Sequence, residues 1–217
     1  VTGVQTCALP IYAATLKNDG STEDSLAYFR DAQDFKNYTL LELPHHGPLV
    51  GYAVDNRDYA VTIVRNFLYS AFMALLWEKL QASQDTHIAA IAAKSLKEVR
   101  YHLRHAHDWL VRFGDGTAES HGRAQAALNH LMPYTQEFWT ASPFEASASQ
   151  SGVGVDPTQL KDDWEAMVRH TVEEATLTLP STEGFITSGK QGTHSEHLSY
   201  LLGEMQSLAR AHPEGVW

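Results

Sequence analysis

The spacing of apolar residues predicts two long α-helices. In 86–113, apolar residues recur in steps of three and four and so share one helical face. They are Ile88, Ala92, Leu96, Val99, Leu103, Ala106, Leu110 and Phe113. We predict Asp85 as the start of this helix and Gly114 as its stop. Residues 57–82 contain neither glycine nor proline, which predicts the other helix, with Asn56 as its N-cap.

The remaining pattern is also helical. Segment 24–43 predicts short helices that end at Pro44, and a helix from Thr117 or Glu119 to Trp139 is expected to kink at Pro133. Further predicted elements are a helix from Asp156-Pro157 to Leu179, a helix from a Thr193–Glu196 capping box to Ala211, and loops at 45–56, 140–155 and 180–192. Period-two alternation is not evident. The pattern predicts an all-α, antiparallel long-helix bundle.

The first eleven residues, VTGVQTCALPI, stand apart from this pattern. They have no helical period and lack the basic start of a signal peptide. We interpret residues 1–11 as a non-native or disordered tail. Residues 12–217 are predicted to form one bundle domain.

Charge and cysteine usage narrow the classes of function. The net charge of −10 gives no general basic field for nucleic acid or an anionic membrane. Cys7 is the single cysteine, so an internal disulfide is excluded, which suits a reducing cytoplasm. No apolar run reaches the length of a membrane span.

A candidate metal site lies on the helix at 86–113, because Glu98 and His102 fall on or near its apolar face. Di-iron bundles use Glu-x-x-His, in which the histidine follows the glutamate by three residues. Here Tyr101 stands at that position and His102 one residue later. In the last helix, His194 and His197 have the spacing, but a histidine replaces the glutamate. We therefore predict no metal in this chain.

The interpretation that we favour is a hydrogen-bonded Glu98–His102 pair inside the core, since buried polar groups need partners. The alternative is a metal-dependent oxidase or oxygenase in its own right, using Glu98, His102, Glu174, His194 and His197. Two other features receive structural interpretations. Lys94, Lys97 and Arg104 are expected to form a solvated face, the alternative being a docking surface for an acidic partner or for CoA phosphates. SGKQGTH (188–194) is expected to form a capped turn, the alternative being an anion site before a helix N-terminus.

Several segments, in order, resemble the C subunits of ring-1,2-phenylacetyl-CoA epoxidases. The most specific is KEVRYHLRHAHDWLVRFGDGT at 97–117. The others are LAYFRD (26–31), DFKNYTLLELP (34–44), GVGVDP (152–157), WEAMVRHTVEEATL (164–177) and GKQGTHSEHLSYLLGEMQ (189–206). The similarity extends from about Tyr12 to Trp217.

The resemblance implies a ferritin-like, cytoplasmic, non-catalytic subunit in aerobic phenylacetate catabolism. It implies a heteromeric complex with a catalytic A subunit that holds the di-iron centre, and with other subunits that include a reductase. No cofactor is expected in this subunit. The resemblance also implies that Phe35 and Asn37 contribute to a groove for phenylacetyl-CoA.

The start of the chain departs from the family, whose first helix is missing here. We expect this loss to leave apolar surface uncovered on 57–113, and the isolated chain to be poorly soluble or unstable.

Overall fold

The computed structural model describes residues 20–45, 58–182 and 186–215. Its α-helices are α1 (Glu23–Tyr28), α2 (Thr39–Glu42), α3 (Tyr59–Leu80), α4 (Thr86–Gly114), α5 (Ala118–Leu131), α6 (Pro143–Gln150), α7 (Lys161–Glu174) and α8 (Glu196–Ala211). Short 3₁₀ helices cover Ala32–Asp34, Met132–Trp139, Pro157–Leu160 and Gly189–Gln191. An isolated bridge, Ser188 to Thr193, is the only β-pairing in the described residues. The all-α bundle prediction is confirmed and fits the ferritin-like class.

The chain divides into two compact units, one formed by 44–187 and the other by 1–43 together with 188–217. We call them the central unit and the terminal unit. The central unit contains α3 to α7, and the terminal unit contains α1, α2 and α8. The prediction of one domain and that of a non-native tail at 1–11 stay predictions, since the tail lies outside the described residues.

Helix α3 is the core of the central unit. Its side chains are buried on several sides, because α4, α5, α7 and the 3₁₀ segment Met132–Trp139 pack around it. Glu78 near its end pairs with Arg100 at 3.2 Å, whereas Tyr59 at its start contacts the ring of Trp109. Helices α3 and α4 therefore run antiparallel.

The apolar surface expected to be uncovered on 57–113 is largely covered in the structure. Within the described part of that range, the exposed large apolar side chains are Tyr59 and Tyr101. Helix α3 is long and apolar enough to cross a membrane, but 72% of its most apolar window is buried inside the protein. Buried core helices and membrane spans share such a composition, so the composition alone does not distinguish between them.

Several helix boundaries match the predictions. Asp85 caps α4 by accepting hydrogen bonds from the backbone N–H groups of His87 and Ile88. Thr117 caps α5, and the chain changes from α to 3₁₀ geometry next to Pro133. The cap of α3 is Asp58, which accepts from the N–H of Ala60 at 2.9 Å. The predicted cap, Asn56, lies outside the described residues.

Three boundary predictions were wrong. Segment 140–155 is not a plain loop, because Ser142 and Glu145 form a capping box that starts α6. Helix α7 ends at Glu174, and Thr176 takes a positive φ of 56°. The last helix begins after Ser195, because Thr193 is held in the bridge to Ser188.

Two glycines in the helices of the central unit have opposite surroundings. A Cβ atom added to Gly114 would overlap the carbonyl oxygen of Ala175, whereas one added to Gly122 would meet nothing within 4 Å. We expect Gly114→Ala to lower the free energy of unfolding by about 2 kcal/mol or more, since backbone must shift. Gly122→Ala should raise it by about 0.5–1 kcal/mol, because alanine favours the helix.

Denaturant unfolding of both variants measures these changes. Similar effects from the two substitutions would contradict the close contact between the end of α4 and Ala175.

Candidate functional site

The carboxylate of Glu42 is buried in the terminal unit and bonded through both of its oxygens. Glu42 is the last residue of α2, and its side chain is fully buried. Its Oε1 lies 2.6 Å from Nδ1 of His194. Its Oε2 accepts hydrogen bonds from the backbone N–H and the hydroxyl of Ser195, both at 2.8 Å. A buried carboxylate needs such donors, and here they tie α2 to the start of α8.

The His194 ring is enclosed on both of its polar edges. Its side chain is 7% exposed, and its Nε2 lies 2.9 Å from the carbonyl oxygen of Phe35. Both ring nitrogens therefore face oxygen atoms of the protein. A metal would have to displace one of these bonds, so His194 is not a ready ligand.

The segment that includes Phe35 and Asn37 packs against the glycine turn that precedes α8. The N–H of Asn37 donates to the carbonyl oxygen of Gly189 at 3.3 Å, and Nζ of Lys36 donates to that of Gln191 at 3.0 Å. A Cβ at Gly189 would overlap the carbonyl oxygen of Asn37. Two segments far apart in sequence thus form one site.

The two groove candidates differ in their contacts. The Arg30 guanidinium lies over the Phe35 ring, 4.3 Å from its centroid, so one ring face is covered. Asn37 is half-buried, and its side-chain amide has no hydrogen-bond partner among the described residues. The Asn37 amide therefore has unused donors and acceptors.

The predicted Glu98–His102 pair was wrong. Oε2 of Glu98 is buried and has no hydrogen-bond partner among the described residues. The His102 ring instead contacts Tyr101, with centroids 5.7 Å apart, and Tyr101 is 58% exposed. His102 is half-buried at the edge of the core stripe, which passes through Val99 and Ala106.

The remaining candidate ligands are also dispersed. Glu174 pairs with His107 at 3.2 Å on the surface of the central unit. His197 is half-buried in the terminal unit. Over the described ranges, no three His, Cys, Asp or Glu side chains are grouped so that they could hold a metal ion. The positions named for the metal alternative do not form a ligand set within either unit.

Among the buried charged residues that the sequence analysis missed, Glu42 and Arg65 each have a sequence signal. Glu42 is the one charged residue in TLLEL, and Arg65 stands alone in VTIVRNFLY. A single charge within an apolar helical run is either exposed at the edge or buried with partners. Arg65 is 6% exposed, its guanidinium contacts the His45 ring, and burial lowers its pKa.

The fold and site define a helical-bundle protein in which the residues at the expected ligand positions are paired elsewhere or dispersed. A sequence model of the family described as "Phenylacetic acid catabolic protein" matches residues 5–217, and the chain belongs to that family. The chain is also 40% identical over 206 residues to the C subunit of the 1,2-phenylacetyl-CoA epoxidase of Escherichia coli (strain K12). That match covers 95% of this chain and 78% of the relative. The predicted resemblance is confirmed.

Removing either partner of the buried Glu42–His194 pair should destabilise the terminal unit. We expect Glu42→Ala and His194→Ala each to cost about 3–5 kcal/mol, because each leaves a buried polar partner uncompensated. The control is Glu119→Ala, which breaks the exposed ion pair with Arg123 and should cost less than about 1 kcal/mol.

Denaturant unfolding, followed by a probe attached to α8, measures the three changes. Equal losses for Glu119→Ala and Glu42→Ala would contradict the role assigned to the buried pair.

Proposed function

We propose that the chain is a non-catalytic, structural subunit of a phenylacetyl-CoA 1,2-epoxidase complex in aerobic phenylacetate catabolism. The similarity to an epoxidase C subunit over 95% of the chain carries this proposal. Its partners are a catalytic A subunit, which holds the di-iron centre, and further subunits that include a reductase. The complex works in the cytoplasm.

Three observations support a role without chemistry. Both ring nitrogens of His194 are bonded to protein oxygens. Tyr101 stands where Glu-x-x-His would place a ligand, and it is exposed. Glu98 and His102 do not bond to each other. A di-iron centre does not fit residues arranged in this way, because its ligands must converge on a shared pair of ions.

The metal-dependent oxidase remains the competing function, and the buried, unpartnered oxygen of Glu98 is the observation that favours it. Such an atom in a bundle core can act as a ligand once a cation is present. The two functions differ in which chain holds the iron.

Co-expression with an epoxidase A subunit separates these functions. The chain is expected to co-purify with that subunit, and iron content should follow the A subunit and be unchanged by Glu98→Ala in this chain. Asp163→Ala, at an exposed position of α7, is the control. Stoichiometric iron in this chain that is lost in Glu98→Ala would contradict the proposal.

Phe35 and Asn37 are proposed to contribute to the groove for phenylacetyl-CoA. The unused amide of Asn37 supports this role, since amides position polar substrate groups. In the assembled complex, Asn37→Ala should raise KM for phenylacetyl-CoA about tenfold with little change in kcat. Asn129→Ala, at an exposed position of α5, should change neither constant. An unchanged KM in Asn37→Ala would show that Asn37 does not contribute to the groove.

A further inference from the structure

The central unit contains a cavity that the proposed function does not use. It has a volume of about 310 Å³ and lies between the 3₁₀ segment Met132–Trp139, helix α7 and the chain that follows α7. Its lining residues are Met132, Gln136, Trp164, Glu165, Val168, Arg169, Leu179, Pro180, Ser181 and Thr182. Small-molecule sites have volumes from about 300 Å³ upwards, so this cavity is at the lower end and an entire CoA thioester is too large for it.

The lining is apolar on its inner side. Met132, Trp164 and Val168 are buried core residues. The indole N–H of Trp164 already donates to the carbonyl oxygen of Leu68 at 3.1 Å, so Trp164 offers the cavity only ring carbon. A ligand that fills this part must therefore carry an apolar body.

The polar part of the lining has unused donors. Arg169 is exposed and makes no ion pair or hydrogen bond with any described residue. The side-chain amide of Gln136 likewise has no hydrogen-bond partner among them. The acidic lining residue, Glu165, pairs with Lys161 at 3.7 Å. The lining thus holds one cation and one anion, and of these two Arg169 is the one whose charge no ion pair within the described residues engages.

We propose that this cavity binds a small carboxylate with an apolar body, through Arg169 and Gln136 at its polar side and Trp164 at its base. A guanidinium matches a carboxylate with two parallel hydrogen bonds. The site shares no residue with the proposed groove at Phe35 and Asn37, and the binding does not depend on the assignment of the chain to an epoxidase.

Four probes test separately whether the apolar body and the negative charge of the ligand contribute to binding. Benzoate and cyclohexanecarboxylate carry both an apolar body and a charge, benzamide lacks the charge, and acetate lacks the body. We expect calorimetric titration of the full chain, or of its complex with the A subunit if the chain is recovered only there, to give dissociation constants of about 1 mM for the first two. Benzamide and acetate should bind at least tenfold more weakly.

Two substitutions on α7 should act in opposite directions on benzoate affinity. Arg169→Gln removes the cation and should weaken binding about tenfold, whereas Glu165→Gln removes the nearby negative charge and should strengthen it about twofold. Arg100→Gln, which removes an exposed cation from α4, should leave it unchanged.

The proposal is overturned if benzoate does not bind at 10 mM, a probe concentration about tenfold above the expected dissociation constant. It is equally overturned if benzamide binds as well as benzoate, or if Arg169→Gln and Arg100→Gln have the same effect. Circular dichroism of each variant confirms that its helices are intact, and Arg169→Lys provides a second variant that keeps the charge but loses the two-bond geometry.

Discussion

A helix that is apolar on several sides cannot be left at a surface, and this requirement shapes the central unit. Helix α3 has buried side chains along most of its length, so other elements must cover it. Helix α4 packs along it in the antiparallel direction, and α5, α7 and the segment Met132–Trp139 close the remaining sides. The stacked rings of Phe72 and Phe138, with centroids 4.6 Å apart, show how closely that segment approaches α3.

The terminal unit depends on a polar constraint instead. A carboxylate without exposure is unfavourable unless donors surround it, and Glu42 receives them from His194 and Ser195. The same bonds occupy the ring of His194, which stands where the Glu-x-x-His motif has its glutamate. The hydrogen bonds that stabilise the terminal unit therefore also leave His194 without a free ring nitrogen for a metal ion. The Phe35 carbonyl oxygen completes the arrangement and fixes the loop on which the proposed groove residues lie.

Local signals predicted much of the fold from the sequence. Asp85 and Thr117 are caps that act on their own neighbours, so spacing alone identifies them. Helix α6 was missed because its Ala- and Ser-rich composition resembles a loop, although Ser142 and Glu145 carry the capping-box spacing. The Glu42–His194 pair could not be predicted, because its partners are separated by 152 positions and only the folded chain brings them together. The Glu98–His102 prediction failed because helical spacing permits a contact without requiring the side chains to adopt it.

The central proposal is that this chain supports an epoxidase without taking part in its chemistry. The most direct test is turnover of phenylacetyl-CoA by the assembled complex in which this chain carries Glu98→Ala, His102→Ala and His197→Ala together. These substitutions remove three of the four candidate ligands outside the Glu42–His194 pair, and the fourth, Glu174, is engaged with His107 on the surface. The account predicts a kcat unchanged within about twofold, with the complex intact by size-exclusion chromatography. A loss of turnover of about a hundredfold or more in an intact complex would contradict it.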